Sequence, residues 1–164
     1  MRNKVLTIAI VALFCALSAV GAQIHLFGSV ALDALPAFLA ALLLGGPQGA
    51  VVGALGHLLS ALTAGFPLTV PLHLVIAAEM ALVCFATGWV ARRRPYLLAA
   101  AVGFVLNAVV APLILLVWPG MGWSVCLALL PTLALGAAIN AFGAGLLGQA
   151  LKKPFNAMLL PKLQ

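Results

Sequence analysis

The chain has 164 residues, 66% of them apolar and only 6% charged, with a mean hydropathy of +1.29 and a formal net charge of +6. A soluble domain carries about a quarter charged residues, so this composition excludes a soluble fold and specifies an integral membrane protein. The eight basic residues fall in three places, Arg2 and Lys4, Arg92 to Arg94, and Lys152, Lys153 and Lys162; they read as membrane flanks and not as a nucleic-acid face.

The first apolar run, Val5–Ala22, is long enough for one crossing at about 20 residues per span. With Arg2 and Lys4 before it and "AVGA" at its end, it also fits a cleavable signal peptide, and cleavage after Ala22 leaves five spans. A mixed segment, Gln23–Ser29, leads to a second run, Val30–Leu44, with Pro36 near its start where a helix tolerates proline. "GGPQG" (Gly45–Gly49) is a turn. The third run is Ala50–Ala64, broken by "GFP". The fourth is Val70–Ala91, stopped by the arginines and Pro95. The fifth is Tyr96–Val117, ended by "WPGMGW", and the sixth is Ser124–Leu151, closed by Lys152-Lys153-Pro154. The runs are continuous and not alternating, so they are helices and not barrel strands.

This predicts an all-α fold, one domain over 1–164, with six transmembrane helices. Four crossings lie between the amino terminus and the arginine run and two more before Lys152, so every basic cluster faces the cytoplasm, as do both termini. The outward connections, around Gln23–Ser29, Gly65–Thr69 and Trp118–Trp123, contain no Lys or Arg.

Against this background each polar residue needs a reason. Asp33 falls at the outer end of the second span and His73 at the outer end of the fourth. Glu79 lies about nine residues inside the fourth span, about 13 Å below its outer end at the helical rise, and His57 and Asn107 lie at similar depths in the third and fifth spans. An ionisable group at that depth costs several kcal/mol unless paired or hydrated, which makes it a functional-site candidate. Alternatives stand beside each. Glu79 either pairs with His57 across two helices or lines a ligand cavity. His57, among Gly53, Gly56 and Ser60, also serves helix packing. His73 at a helix start also meets interfacial water, and Asn107 and Asn140 also fit interhelical hydrogen bonds, Asn140 deep toward the cytoplasmic side. Phe27, Phe66, Trp118 and Trp123 in the outer connections form either an aromatic belt or a stacking surface for a flat ring.

With no outer cation to clamp a carboxylate or phosphate, an external ligand is expected to be neutral or cationic, unless a helix end or loop N–H groups bind it. No nucleotide-binding or hydrolytic motif is present, so no enzymatic activity is expected. The spacing of two histidines and a glutamate is no recognised ligand pattern, so no metal site or cofactor is expected. Cys15, Cys84 and Cys126 lie inside apolar runs and read as buried free thiols. A small proton- or cation-coupled carrier using Glu79 and His57 as a relay fits the same residues, as does a membrane scaffold with no ligand.

Six short spans with uncharged outer loops, a small-residue first helix, the stretch "GSVALDALPAFLAALLLGGPQGAVVGALGHLLSALTAGFPLTVPLHLVIAAEMA" and a late pair of Asn-bearing helices resemble the substrate-binding (S) component of energy-coupling factor (ECF) transporters. Within that family the chain looks most like the branch for cobalamin precursors, in particular α-ribazole. The resemblance implies a vitamin-capturing subunit of the cell inner membrane. Such a subunit binds a micronutrient on its outer side, docks on a transmembrane coupling (T) subunit driven by two ATPases, and topples to release the ligand inward. It implies a substrate site around Asp33, His57, Phe66, His73, Glu79, Asn107 and Trp118. It also implies a docking element of the Ala-x-x-x-Ala type, supplied here by Ala12 and Ala16 with Ala19 following. ATP is hydrolysed by the partners and not by this chain. Pyridoxine, a queuosine precursor or thiamine would suit the same site. No Met-His start is present, which disfavours the nickel and cobalt branch.

Overall fold

A computed structural model describes residues 2–27, 30–67 and 69–163. They form α1 (Arg2–Gly21), a short antiparallel pair β1 (His25–Phe27) and β2 (Val30–Ala31), α2 (Leu35–Leu44), α3 (Gly46–Thr63), α4 (Val70–Ala91), α5 (Tyr96–Val105) and α6 (Trp123–Leu163). The protein is thus built almost entirely from helix.

Among the described residues, four stretches are long and apolar enough to cross a membrane: Lys4–Gly21, Val70–Ala91, Tyr96–Ile114 and Trp123–Ala157. The second and third predicted crossings differ from expectation. Residues Val30–Ala34 are strand and bend, so α2 keeps only 10 residues. At the helical rise it is about 15 Å long, half a hydrocarbon core. The third, α3, reaches 18 residues but includes Pro47, Gln48, His57 and Ser60, which make it less apolar than those four stretches.

Two further expectations are corrected. The fifth run is not one α-helix: after Val105 the chain widens into a π turn (Leu106–Val110) and tightens into a 3₁₀ stretch (Ala111–Val117). Pro112 explains the change, because a regular helix would drive its ring into the carbonyl four residues back and leave that carbonyl without a donor. The sixth helix does not stop at Pro154 but continues to Leu163. The proline removes one N–H, whose intended acceptor belongs to the exposed Ala150, so solvent satisfies the freed carbonyl and the helix carries on.

Short as it is, α2 is the axis of the bundle. It touches every other α-helix, is buried from Pro36 to Leu43, and has no polar side chain that would demand a partner there. Around it α3 approaches its neighbours through small residues. A methyl group on Gly49 would meet Ala41 of α2, one on Gly53 would meet the Met80 carbonyl of α4, and one on Gly56 would meet Ser18 of α1. Without a hydrophobic drive between lipid-soluble helices, such close backbone approach is the main source of association.

The bundle has two chemically distinct ends. At one, the Arg92 guanidinium lies beside Gly45 in the α2–α3 turn, Lys152 Nζ sits 4.7 Å over the Tyr96 ring, and Thr7 and Ile8 of α1 face Pro47 and Gln48 across a groove. All three basic sequence clusters therefore border the same end. Asp33, Glu79, His57 and His73 lie away from it. From His73 to Arg92 the 19-residue separation along α4 is about 28 Å, close to a hydrocarbon thickness.

Candidate functional site

The site is built at the turn between α3 and α4. Helix α3 ends in a paired-carbonyl cap: the Gly65 N–H donates to the Leu62 carbonyl (3.1 Å) and the Phe66 N–H to the Ala61 carbonyl (2.8 Å). Gly65 takes φ +76°, as this cap requires, and Phe66 follows at φ +51°, a left-handed conformation that a bulky side chain seldom adopts. The chain then restarts as α4, where the Thr69 hydroxyl accepts from the Leu72 N–H (3.3 Å) and Pro71 occupies the first turn. This abrupt reversal places Phe66 against His73, with ring centroids 5.6 Å apart in an edge-on arrangement.

His57 comes to the same point from α3. Its Nε2 lies 3.1 Å from His73 Nδ1, and the two rings are 5.2 Å apart and tilted by 31°. One turn beyond His57, Ser60 Oγ donates to Asp33 Oδ2 (3.2 Å), which joins the bend before α2 to α3. Asp33, His57, Phe66 and His73 thus form one cluster with Ser60. His73 is 6% exposed, and its Nε2 has no hydrogen-bond partner.

Glu79 stands deeper on α4. Its Oε1 is enclosed without a hydrogen-bond partner, and His57 bonds to His73, so the pairing of Glu79 with His57 does not form. Asn107 lies in the π turn, which packs against α4, α5 and α6, and Trp118 lies just past the 3₁₀ stretch, where its carbonyl accepts from the Met121 N–H (3.1 Å). Among the described residues neither shares a hydrogen bond or ring contact with the histidine cluster. Trp123 is exposed at the start of α6, as suits an aromatic belt. The side chain of Phe27 lies outside the described residues.

Two polar groups matter more than their sequence setting signals. Asn140, 3% exposed, donates from Nδ2 to the Ala31 carbonyl of β2 (2.9 Å) and to the Gly136 carbonyl (2.8 Å). It thereby holds the connection between α1 and α2 against α6. Ser18 on α1 is fully buried, and its Oγ has no partner; it packs under Gly56, next to His57. Nothing in "ALSAVG" marks that serine. The signal for Asn140 was present, a lone amide in an apolar helix, but its partner is a main-chain carbonyl invisible to side-chain reasoning.

Away from this cluster, a groove of about 650 Å³ runs between α1 and α3, lined among others by Ala12, Cys15, Ala16, Val51 and Leu55. Ala12 and Ala16 are exposed, and Ala19 is half-buried.

The sequence matches the family model for the ECF transporter substrate-specific component over residues 6–161. No curated protein and no solved structure matches it.

Proposed function

Since the chain belongs to the family of ECF transporter substrate-specific components, we propose that it captures a neutral aromatic micronutrient, α-ribazole or a related cobalamin precursor, from outside the cytoplasmic membrane. The observation that carries this reading is the cluster of His57, His73 and Phe66, with Asp33 and Ser60 beside it and with no Lys or Arg in contact with it among the described residues. An acidic ligand would meet two carboxylates there and no counter-charge. A flat ring has Phe66 to pack on, while Asp33 and Glu79 accept from hydroxyls. Asn107 and Trp118 complete the site from the segment after α5.

The same reading gives six helices, with α2 and the hairpin before it together making the second crossing, and both termini in the cytoplasm. The clustering of Arg92, Lys152 and the start of α1 at one end supports that orientation. Members of this family bind small molecules and work with a transmembrane T subunit and ATPase subunits. Here the α1–α3 groove, with Ala12 and Ala16 exposed on its wall and Ala19 following, is the T-subunit docking face; small residues four apart let another helix approach closely. Two ATPases supply the energy.

The test is calorimetric titration of the purified, detergent-solubilised chain with α-ribazole, pyridoxine, thiamine and a queuosine precursor. Saturable one-to-one binding of α-ribazole in preference to the others is expected. Binding of another member moves the substrate assignment, and binding of none contradicts the proposed role.

A further inference from the structure

The histidine pair admits two hydrogen-bonding states. A neutral imidazole has one N–H donor and one bare acceptor nitrogen. If His57 Nε2–H donates to His73 Nδ1, then His73 must hold its own proton on Nε2. If His73 Nδ1–H donates to His57 Nε2, then His73 Nε2 is a bare acceptor. The first state puts both rings in the Nε2–H form, the tautomer that the histidine side chain intrinsically prefers, and the second puts both in the disfavoured Nδ1–H form. The 3.1 Å contact therefore couples the two choices and favours the first. The result is an N–H donor at His73 Nε2, in a side chain 6% exposed and with no acceptor among the described residues. A buried donor left unpaired is costly.

Building on the binding role proposed above, we infer that His73 is the residue that reads the ligand, donating from Nε2 to an unprotonated ring nitrogen at the edge of a heteroaromatic ring. His57 acts as a positioning residue that holds His73 in the donating tautomer. Phe66, edge-on to His73 at 5.6 Å, fixes the plane of the imidazole. A ligand that complements this donor carries a bare ring nitrogen, as a benzimidazole nucleoside does.

The experiment has two arms. In the first, ¹⁵N spectra of the ligand-free, histidine-labelled protein report the tautomers directly. Both His57 and His73 as Nε2–H is the expected result, and Nδ1–H at His73 overturns the proposal whatever the ligand is. In the second, α-ribazole is compared with its indole analogue, in which the free ring nitrogen is replaced by C–H. The wild-type protein should prefer α-ribazole by about tenfold or more, the cost of stranding a buried donor. That preference should vanish in His73→Phe, fall in His57→Phe, and return in His57→Gln, whose amide N–H can again donate to His73 Nδ1. Equal binding of both compounds by the wild type, or an undiminished preference in His73→Phe, overturns the role of His73 and leaves the transport role standing. Binding of neither compound contradicts the α-ribazole assignment, and the role of His73 as its reader falls with it.

Discussion

Phe66 holds a backbone conformation, φ +51°, that costs a non-glycine residue about 1–2 kcal/mol. Strain of this kind persists where the surrounding structure over-determines it, and it is common at ligand sites. The gain here is the contact with His73. Phe66→Gly should therefore leave the melting temperature unchanged or raised, because glycine relieves the strain. Ligand affinity should drop about three- to tenfold with the aromatic contact, worth about 0.5–1.5 kcal/mol. Scanning calorimetry and titration on the same preparation measure both; a lower melting temperature with intact affinity would assign Phe66 a purely structural role. Asn140 invites a second test. One of its two donated bonds ties α6 to the Ala31 carbonyl of β2, and the other stays within α6 at Gly136; a net hydrogen bond contributes about 1 kcal/mol. Asn140→Ala should lower stability by about that much per bond and speed amide exchange in residues 25–31, with little change at the basic end. Uniform acceleration along the chain would show that Asn140 does not act locally.

The functional geometry depends on how closely α3 lies against α1 and α4. A side chain at Gly56 would meet Ser18, and one at Gly53 would meet the Met80 carbonyl. Gly56→Leu should cost about 1–3 kcal/mol, as overpacking does, and should also weaken ligand binding, because His57 is the next residue. Ala12→Leu combined with Ala16→Leu acts on the opposite face of the argument. These positions are exposed, so folding and ligand binding should survive while assembly with the T subunit fails in a pull-down. Persistent assembly would move the docking face elsewhere.

This level also separates what the residue pattern disclosed from what it could not. The turns at Gly45, Gly65 and Arg92–Pro95 were legible from glycine, proline and charge, and the meeting of His57 with His73 follows from the hairpin that those turns create. The shortness of α2 was not legible, because Val30–Ala34 is apolar at every position but Asp33 and periodicity does not distinguish so short a strand from a helix. The π and 3₁₀ turns after Val105 answer to Pro112, whose effect lies several residues upstream of it. The Glu79–His57 pair, one of two alternatives for Glu79, rested on residue type alone. Geometry instead gives His57 a partner of its own kind.

At the scale of the molecule, the chain is polarised. Its two acidic residues and all three histidines except His25 are placed away from the end that gathers Arg92 and Lys152; the side chain of His25 lies outside the described residues. That division matches a subunit that meets its ligand on one side of the membrane and its energy source on the other. Single cysteines introduced at Phe66 and at Arg93, in a background with Cys15, Cys84 and Cys126 replaced by Ala, should react with a membrane-impermeant maleimide from opposite sides. Labelling of the Phe66 position in intact cells and of the Arg93 position only after lysis is the expected pattern; the reverse would invert the proposed orientation.

The central claim is that this chain binds its cargo unaided and transports it only with partners. The most direct measurement reconstitutes the purified chain into liposomes, alone and with its T subunit and ATPases, and follows bound and internalised α-ribazole. Stoichiometric binding by the chain alone, with uptake only in the complete complex and only with ATP, is the predicted result. Uptake by the chain alone under a pH gradient would contradict the account and make the protein a proton-coupled carrier.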